Sequence, residues 1–341
     1  MRSIPARAVL AVGVPAACVA ALASLTIGVY GIGLGEVAGA LKTMLCGGTP
    51  TVQEETAYTL VVHMRLPRAL GAVVVGSSLG TAGVLLQALL RNPLASPFVI
   101  GTSQAAGFGA VLAIFLGLPL AATFGSAFGF SVVAALLVLA LSRTDRSLPT
   151  ESVVLTGLSM SLLFGALIGL VRYLARDEGV VSRISLWILG GLWHLSLSSL
   201  ALLGPPALAA VVLACLLWRR LDLLALGEAD AARLGMAVRR TGTLVLLLSC
   251  VLTSLAVCIG GVVAFVGLVV PHAARKLVGP AHGALVPAAA ILGAVFVLAT
   301  DGIARVAVPP QELPLGVVTS LVGVPAFLLM LRSLRSRRSG S

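Results

Sequence analysis

The stretch LPRALGAVVVGSSLGTAGVLLQALL, residues 66–90, decides the fold. It contains one ionisable residue, Arg68, and shows no alternation of apolar and polar positions. About 20 apolar residues suffice for a helix to cross a bilayer's hydrocarbon core. Barrel strands need only about ten, with strict alternation. Residues 66–90 therefore read as a membrane-spanning helix.

Working outward, nine more apolar segments follow the same rule, at 8–32, 97–117, 121–142, 152–173, 197–218, 241–260, 262–275, 284–304 and 314–332. The segment at 262–275 is short and contains Pro271, so a broken or incomplete helix is expected there. The run at 8–32 follows Arg2 and Arg7 in the manner of a secretion signal. It is too long for a signal's apolar region and reads as an uncleaved first span. The expectation is one all-α, polytopic membrane domain over residues 1–341 with about ten spans.

Composition agrees. Of 341 residues, 59% are hydrophobic and 10% charged, with a mean hydropathy of +1.10. A soluble domain carries about 25% charged residues, and a disordered chain is poor in apolar ones. Both classes are excluded. The net charge of +11 would suggest nucleic acid in a soluble protein. Here the cations fall between spans. With the N-terminus in the cytosol, 16 of the 23 lie on the cytosolic side, among them Arg91, Arg143, Arg146 and the tail Arg332–Arg338. The other seven, Lys42, Arg65, Arg68, Arg172, Arg176, Arg183 and Arg305, lie outside. This bias is an orientation signal. It places both termini in the cytosol, gives the tail anionic lipid headgroups to meet, and leaves no nucleic-acid partner.

Catalytic constellations are missing. Lys42 and Lys276 are the only lysines, and neither belongs to a phosphate-binding G-x-x-x-x-G-K-[ST] loop. His63, His194, His272 and His282 are scattered, and no metal-binding, nucleophile-elbow or dinucleotide motif is present. Cys18, Cys46, Cys215, Cys250 and Cys258 form no C-x-x-C pair and read as small packing residues. The chain is thus expected to be no enzyme and to bind no cofactor or metal.

Two polar stretches stand out. Residues 33–64, with Glu36, Glu54 and Glu55, read as an outer loop. Residues 219–240, RRLDLLALGEADAARLGMAVRR, are too polar to span and lie on the cytosolic side. Their centre, between Gly227 and Gly235, fits either a short surface helix suited to docking a protein or a solvated loop.

Small residues form stripes: Gly76 and Gly80, and Gly157, Ser161, Gly165 and Gly169. At four-residue spacing they share a helix face, fit for close packing or for lining a narrow path. Asp301 and Arg305, four apart, suit an ion pair. Arg65, Arg68 and Arg305, with Glu312 close by, sit at outer span ends, where they fit headgroup anchoring or contact with an acidic partner. Pro and Gly interrupt RNPLASP at 91–97, VGLVVPHAARKLVG at 266–279 and QELPLGVVTSLVGVPAF at 311–327. Broken helices in a membrane occur where they are buried in protein or line a cavity, which favours transport over anchoring.

Five ordered blocks resemble the FecCD-like permease subunits of type II ABC importers for iron-siderophores, haem and cobalamin. The block at 65–110 carries R-L-P-R followed by Gln87, Asn92 and Pro93; LWILGGLW lies at 186–193 and ALGEADAARLG at 225–235. The segment at 260–282 carries Pro271, His272 and Arg275, and that at 299–327 carries Asp301, Glu312, Pro314 and Gly316. The resemblance covers about residues 8 to 332. One departure is Ala281, where the family often has Asp.

The resemblance implies ten spans and a second permease subunit, identical or paralogous. It also implies two cytosolic ATPase subunits that use ATP and Mg, and an extracytoplasmic substrate-binding protein, at the bacterial inner membrane. It makes 225–240 the coupling segment, through Leu226, Gly227, Glu228, Ala232, Leu234 and Gly235. It makes Arg65, Arg68 and Arg305 the docking residues for the binding protein. It places the fifth and tenth helices along the pathway, with Gly157, Ser161 and Gly165 on the fifth. An iron(III)-siderophore is the favoured cargo, with haem or cobalamin the alternative. An ion-coupled secondary transporter would instead need carboxylates near mid-membrane, and none of the 12 acids stands out there.

Overall fold

The computed structural model describes residues 5–51, 54–142 and 150–338. Arg2, Arg143 and Arg146, counted above as cytosolic, lie outside them. Among the described residues the chain is helical throughout, with one isolated bridge between Val308 and Gln311.

All ten expected segments are helices. Seven are long and apolar enough to cross a membrane. The first is α1 (Ala6–Thr26). Short helices α2 (Leu34–Cys46) and α3 (Glu55–Tyr58) follow, and α3 continues through a π-helical segment, Thr59–Arg65, into α4 (Leu66–Leu89). Next come α5 (Thr102–Phe115), α6 (Leu120–Ser142), α7 (Thr150–Leu174) and α8 (Glu178–Leu189). Then follow α9 (Leu197–Leu216), α10 (Trp218–Leu226), α11 (Glu228–Arg233) and α12 (Val238–Gly260). The last are α13 (Val266–Val278), α14 (His282–Val306) and α15 (Leu315–Arg338). Of the ten, α5, α13 and the apolar part of α15 (Leu315–Leu329) are the shorter ones.

Four expectations change. The outer loop at 33–64 is largely helical. Glu36 accepts the Gly33 N–H at 2.7 Å and starts α2, and Val37 and Ala40 give it a buried face. α8 was not anticipated. Asp177 accepts the Val180 N–H at 2.9 Å to open it, and Gly190 closes it. α1 stops at Thr26 instead of near Ile32, where Ile27 turns extended, and its last carbonyls accept from arginine side chains described below. Pro271 does not break its helix. The interruption precedes it, at Gly260–Phe265, where Gly261 has φ 64° and Phe265 φ 65°. α13 is therefore about 20 Å long, roughly two-thirds of a span.

α4 is the centre of the molecule and packs on α9, α12, α13 and α14. Its glycines set the distances. A Cβ on Gly76 would lie 2.1 Å from the Gly293 carbonyl oxygen, and a Cβ on Gly293 would lie 2.1 Å from that of Gly76. Gly83 rests on the Gly267 carbonyl, which has no helical N–H to accept because Pro271 stands four residues on. The stripe on α4 is thus a packing seam.

Candidate functional site

At the end of the bundle where α1 stops, three helices meet around Asp301. Arg68 on α4 donates to Asp301 at 2.9 Å and to both oxygens of Glu312 at 2.7 and 2.9 Å. Arg305, one turn after Asp301 on α14, lies 3.1 Å from its second oxygen. Arg305 also donates to the Ser24 and Ile27 carbonyls and to the Ser24 hydroxyl on α1. Arg65 donates to the carbonyls of Leu25, Thr26 and Tyr30. A helix C-terminus leaves carbonyls unpaired and carries partial negative charge. Two guanidiniums fill that end of α1.

This arrangement corrects one expectation. Arg65, Arg68 and Arg305 are only 6%, 8% and 3% exposed, and their terminal guanidinium nitrogens bond partners within the chain. They do not stand out from the surface to meet an acidic protein. Glu312, 40% exposed, is the group of the cluster at the surface. Ser24 and the α1 carbonyls were missed as partners. The polar end of α1, ASLT at 23–26, was the available signal.

Next to the cluster, three chain segments cross at backbone contact. Leu315 N–H donates to the Gly190 carbonyl at 3.0 Å, and Gly191 N–H to that of Gly260 at 2.9 Å. A Cβ on Gly316 would lie 2.5 Å from the Leu189 oxygen. Any side chain there would part α8 from α15.

At the opposite end the helix alternative holds for 219–240. Gly227 (φ 112°) separates α10 from α11, and Gly235 (φ 81°) follows α11. The short helix is Glu228–Arg233, with residues 238–240 already in the first turn of α12. Ala231 is buried beneath it. Leu226 and Leu234 flank it at 60% and 63% exposure, with Ala232 also exposed. Two unpartnered leucines beside a surface helix form an apolar knob.

The α7 stripe divides. Gly157 and Ser161 pack on the 97–101 turn, where Ser161 Oγ donates to the Phe98 carbonyl at 3.1 Å. Gly165 and Gly169 have open space before them. A four-residue spacing drifts about 40° per step around a helix, so one stripe serves two faces. Gly157 and Ser161 pack within this chain, while Gly165 faces open space.

A search against known proteins matches residues 16–333 to the FecCD transport family. The chain belongs to that family. As a FecCD permease it is 37% identical over 296 residues to the hemin transport system permease protein HmuU of Yersinia pestis, covering 85% of this chain and 88% of the relative. It is 37% identical over 280 residues to the Fe(3+) dicitrate permease FecD of Escherichia coli K12, covering 82% and 86%. Other relatives are named for molybdate or cobalamin. Among solved structures, one chain described as of the metal-chelate ABC transporter type, in an inward-facing conformation, superposes with a TM-score of 0.85 at 31% identity. It covers 96% of this chain and 99% of that one.

The remaining motif residues of this FecCD permease are structural where they can be read. Gln87 is buried and reaches the Ala95 carbonyl, and Asn92 accepts from Leu94 N–H at 2.9 Å to shape the turn that Pro93 completes. Pro271 is buried in α13, and His272 and Arg275 are half-buried beside it. Pro314 supplies the carbonyl that starts α15.

Proposed function

We propose that this FecCD permease carries an iron(III)-siderophore or similar metal chelate into the cytosol. It acts with a second permease, identical or paralogous, two cytosolic ATPase subunits and an extracytoplasmic binding protein. It sits in the bacterial cytoplasmic membrane with both termini inside. The chain itself binds no cofactor, and ATP and Mg are used by the ATPases.

The observation that carries this reading is the placement of the acids. Every described Asp and Glu lies in a loop or near a helix end, and Asp301, the deepest, is neutralised by Arg68 and Arg305. A proton- or sodium-coupled carrier needs an ionisable group along its path. Here the drive has to come from outside the chain, and the knob formed by Leu226, α11 and Leu234 is the surface fitted to receive it. Hemin and iron-citrate relatives favour an iron chelate as cargo.

The buried arginines also define how docking would work. Glu312 is the exposed partner of Arg68, so a carboxylate of the binding protein would exchange with Glu312 on the same guanidinium. ATP movement of the α11 knob would then rock α7 and α15 against the second subunit. The test is uptake by proteoliposomes holding the whole transporter, with iron(III)-siderophore, hemin and cyanocobalamin offered separately. ATP-dependent accumulation of the siderophore complex supports the proposal. Accumulation of hemin or cobalamin alone reassigns the cargo, and uptake that a protonophore abolishes at unchanged ATP overturns the mechanism.

A further inference from the structure

α14 begins without a cap of its own. Its N-cap residue, Ala281, has no side-chain acceptor, and unpaired N–H groups at a helix start need one. The acceptor comes from another helix. Asp222 on α10 takes the His282 backbone N–H at 2.9 Å and the His282 ring Nδ1 at 2.7 Å. An ionised carboxylate only accepts, so Nδ1 carries the hydrogen. The His282 side chain is 6% exposed and that of Asp222 37%.

A second contact keys the same two helices. Gly283 faces the Trp218 indole, where a Cβ would lie 3.4 Å from the ring. Trp218 and Asp222 are one turn apart on α10, and both grip the first turn of α14. Beyond them α10 runs to Gly227 and the exposed α11 knob. In the other direction α14 runs about 29 Å to Asp301 and about 35 Å to Arg305 at the outer cluster.

We infer that Asp222 is the joint through which displacement of the α10–α11 segment passes to α14, and so to the outer cluster. This rests on the coupling role proposed above for α11. Asp222 is a positioning residue here, since it touches neither cargo nor nucleotide. The pairing is suited to the task because both of its acceptor contacts leave its own helix. A cap supplied from within α14 would satisfy the same N–H groups and transmit nothing.

That contrast supplies the experiment. The whole transporter, permease with its ATPases, is reconstituted in proteoliposomes with its binding protein. ATP hydrolysis is measured by phosphate release, beside uptake of whichever of iron(III)-siderophore, hemin or cyanocobalamin the wild type accumulates. Asp222→Ala should lower uptake per ATP hydrolysed about tenfold, within the usual span of coupling between sites. Adding Ala281→Asp to that variant restores a local cap, so it should recover thermal stability without recovering uptake per ATP. Recovery of both would make Asp222 a cap and nothing more. An unchanged ratio in Asp222→Ala would also overturn the inference. If that variant does not assemble, the double variant with its local cap is compared with the wild type, and an unchanged uptake per ATP there overturns the inference. A wild-type transporter that accumulates none of the three under ATP would count against the functional reading instead.

Discussion

Arg68 and Asp301 lie 233 positions apart in sequence and meet at 2.9 Å, with side chains 10% and 1% exposed. The pair fastens the start of α4 to the end of α14, and Arg305 shares the same carboxylate. Removing one partner of a buried ion pair costs about 3–5 kcal/mol, because the other is left charged and unpaired. Asp301→Asn should therefore destabilise the protein by about that much. Glu312→Gln removes a 40% exposed carboxylate from the same guanidinium and should cost about 1 kcal/mol or less. Thermal unfolding of the two variants in detergent checks the ordering. Equal losses would show that burial does not govern the cluster.

Gly76 and Gly293 touch backbone to backbone, so a methyl on either has no room to settle. Gly76→Ala must push α4 away from α14 by about 1 Å to reach ordinary contact. Overpacking of a tight core costs about 1–3 kcal/mol. Gly165→Ala, on the open face of α7, should cost almost nothing in the isolated chain. Expression and melting temperature of the pair give the comparison. A neutral Gly76→Ala would mean that the seam is looser than its distances say.

The knob at α11 yields a functional counterpart. Leu234→Arg puts a charge on an exposed apolar side chain, and Glu228→Arg reverses the charge at the first residue of α11. Neither removes a core contact, so folding should persist while assembly with the ATPases weakens. Co-purification of ATPase with permease reports it directly. Undiminished ATP-driven uptake by the double variant would remove this segment from the coupling path.

Legibility from sequence followed the physics of each element. The spans were readable because hydrocarbon demands long apolar runs, which hydropathy records. The ends of α11 were readable because Gly227 and Gly235 stop helices whatever the tertiary context. α2 and α8 were not, since they are amphipathic and lie outside the long apolar runs, where no length rule applies. The Asp301–Arg305 pair was visible as a spacing of four, whereas Arg68–Glu312 was not, because only the folded bundle joins α4 to the turn before α15. For the same reason three arginines that looked like surface charges proved to be internal fasteners. Asp222 escaped notice because its partner stands 60 positions away.

The loop between α8 and α9 carries a pH-sensitive group. His194 lies beside Trp187, with ring centroids 5.1 Å apart, and lines a cavity of about 470 Å³ with Trp193 and Arg183. Its Nε2 is buried without a partner. Burial pushes its pKa from the ordinary 6.5 down to about 4, against a smaller upward pull from a hydrogen bond to the Ile259 backbone. The folded protein thus holds this imidazole neutral over a range in which the unfolded chain protonates it. Between about pH 6.5 and 4 the unfolded state binds the extra proton, so stability rises with pH there and levels off above the unfolded value. At about 1.4 kcal/mol per unit, full protonation of the unfolded chain at pH 4 weakens the fold by about 3 kcal/mol. His194→Phe keeps a ring against Trp187 and has no proton to take up. Its melting temperature should show a shallower slope between pH 4 and 6.5 than the wild type while matching it near pH 7.5. If both proteins keep the same slope, another group sets the acid limit and His194 is not buried as the structure places it.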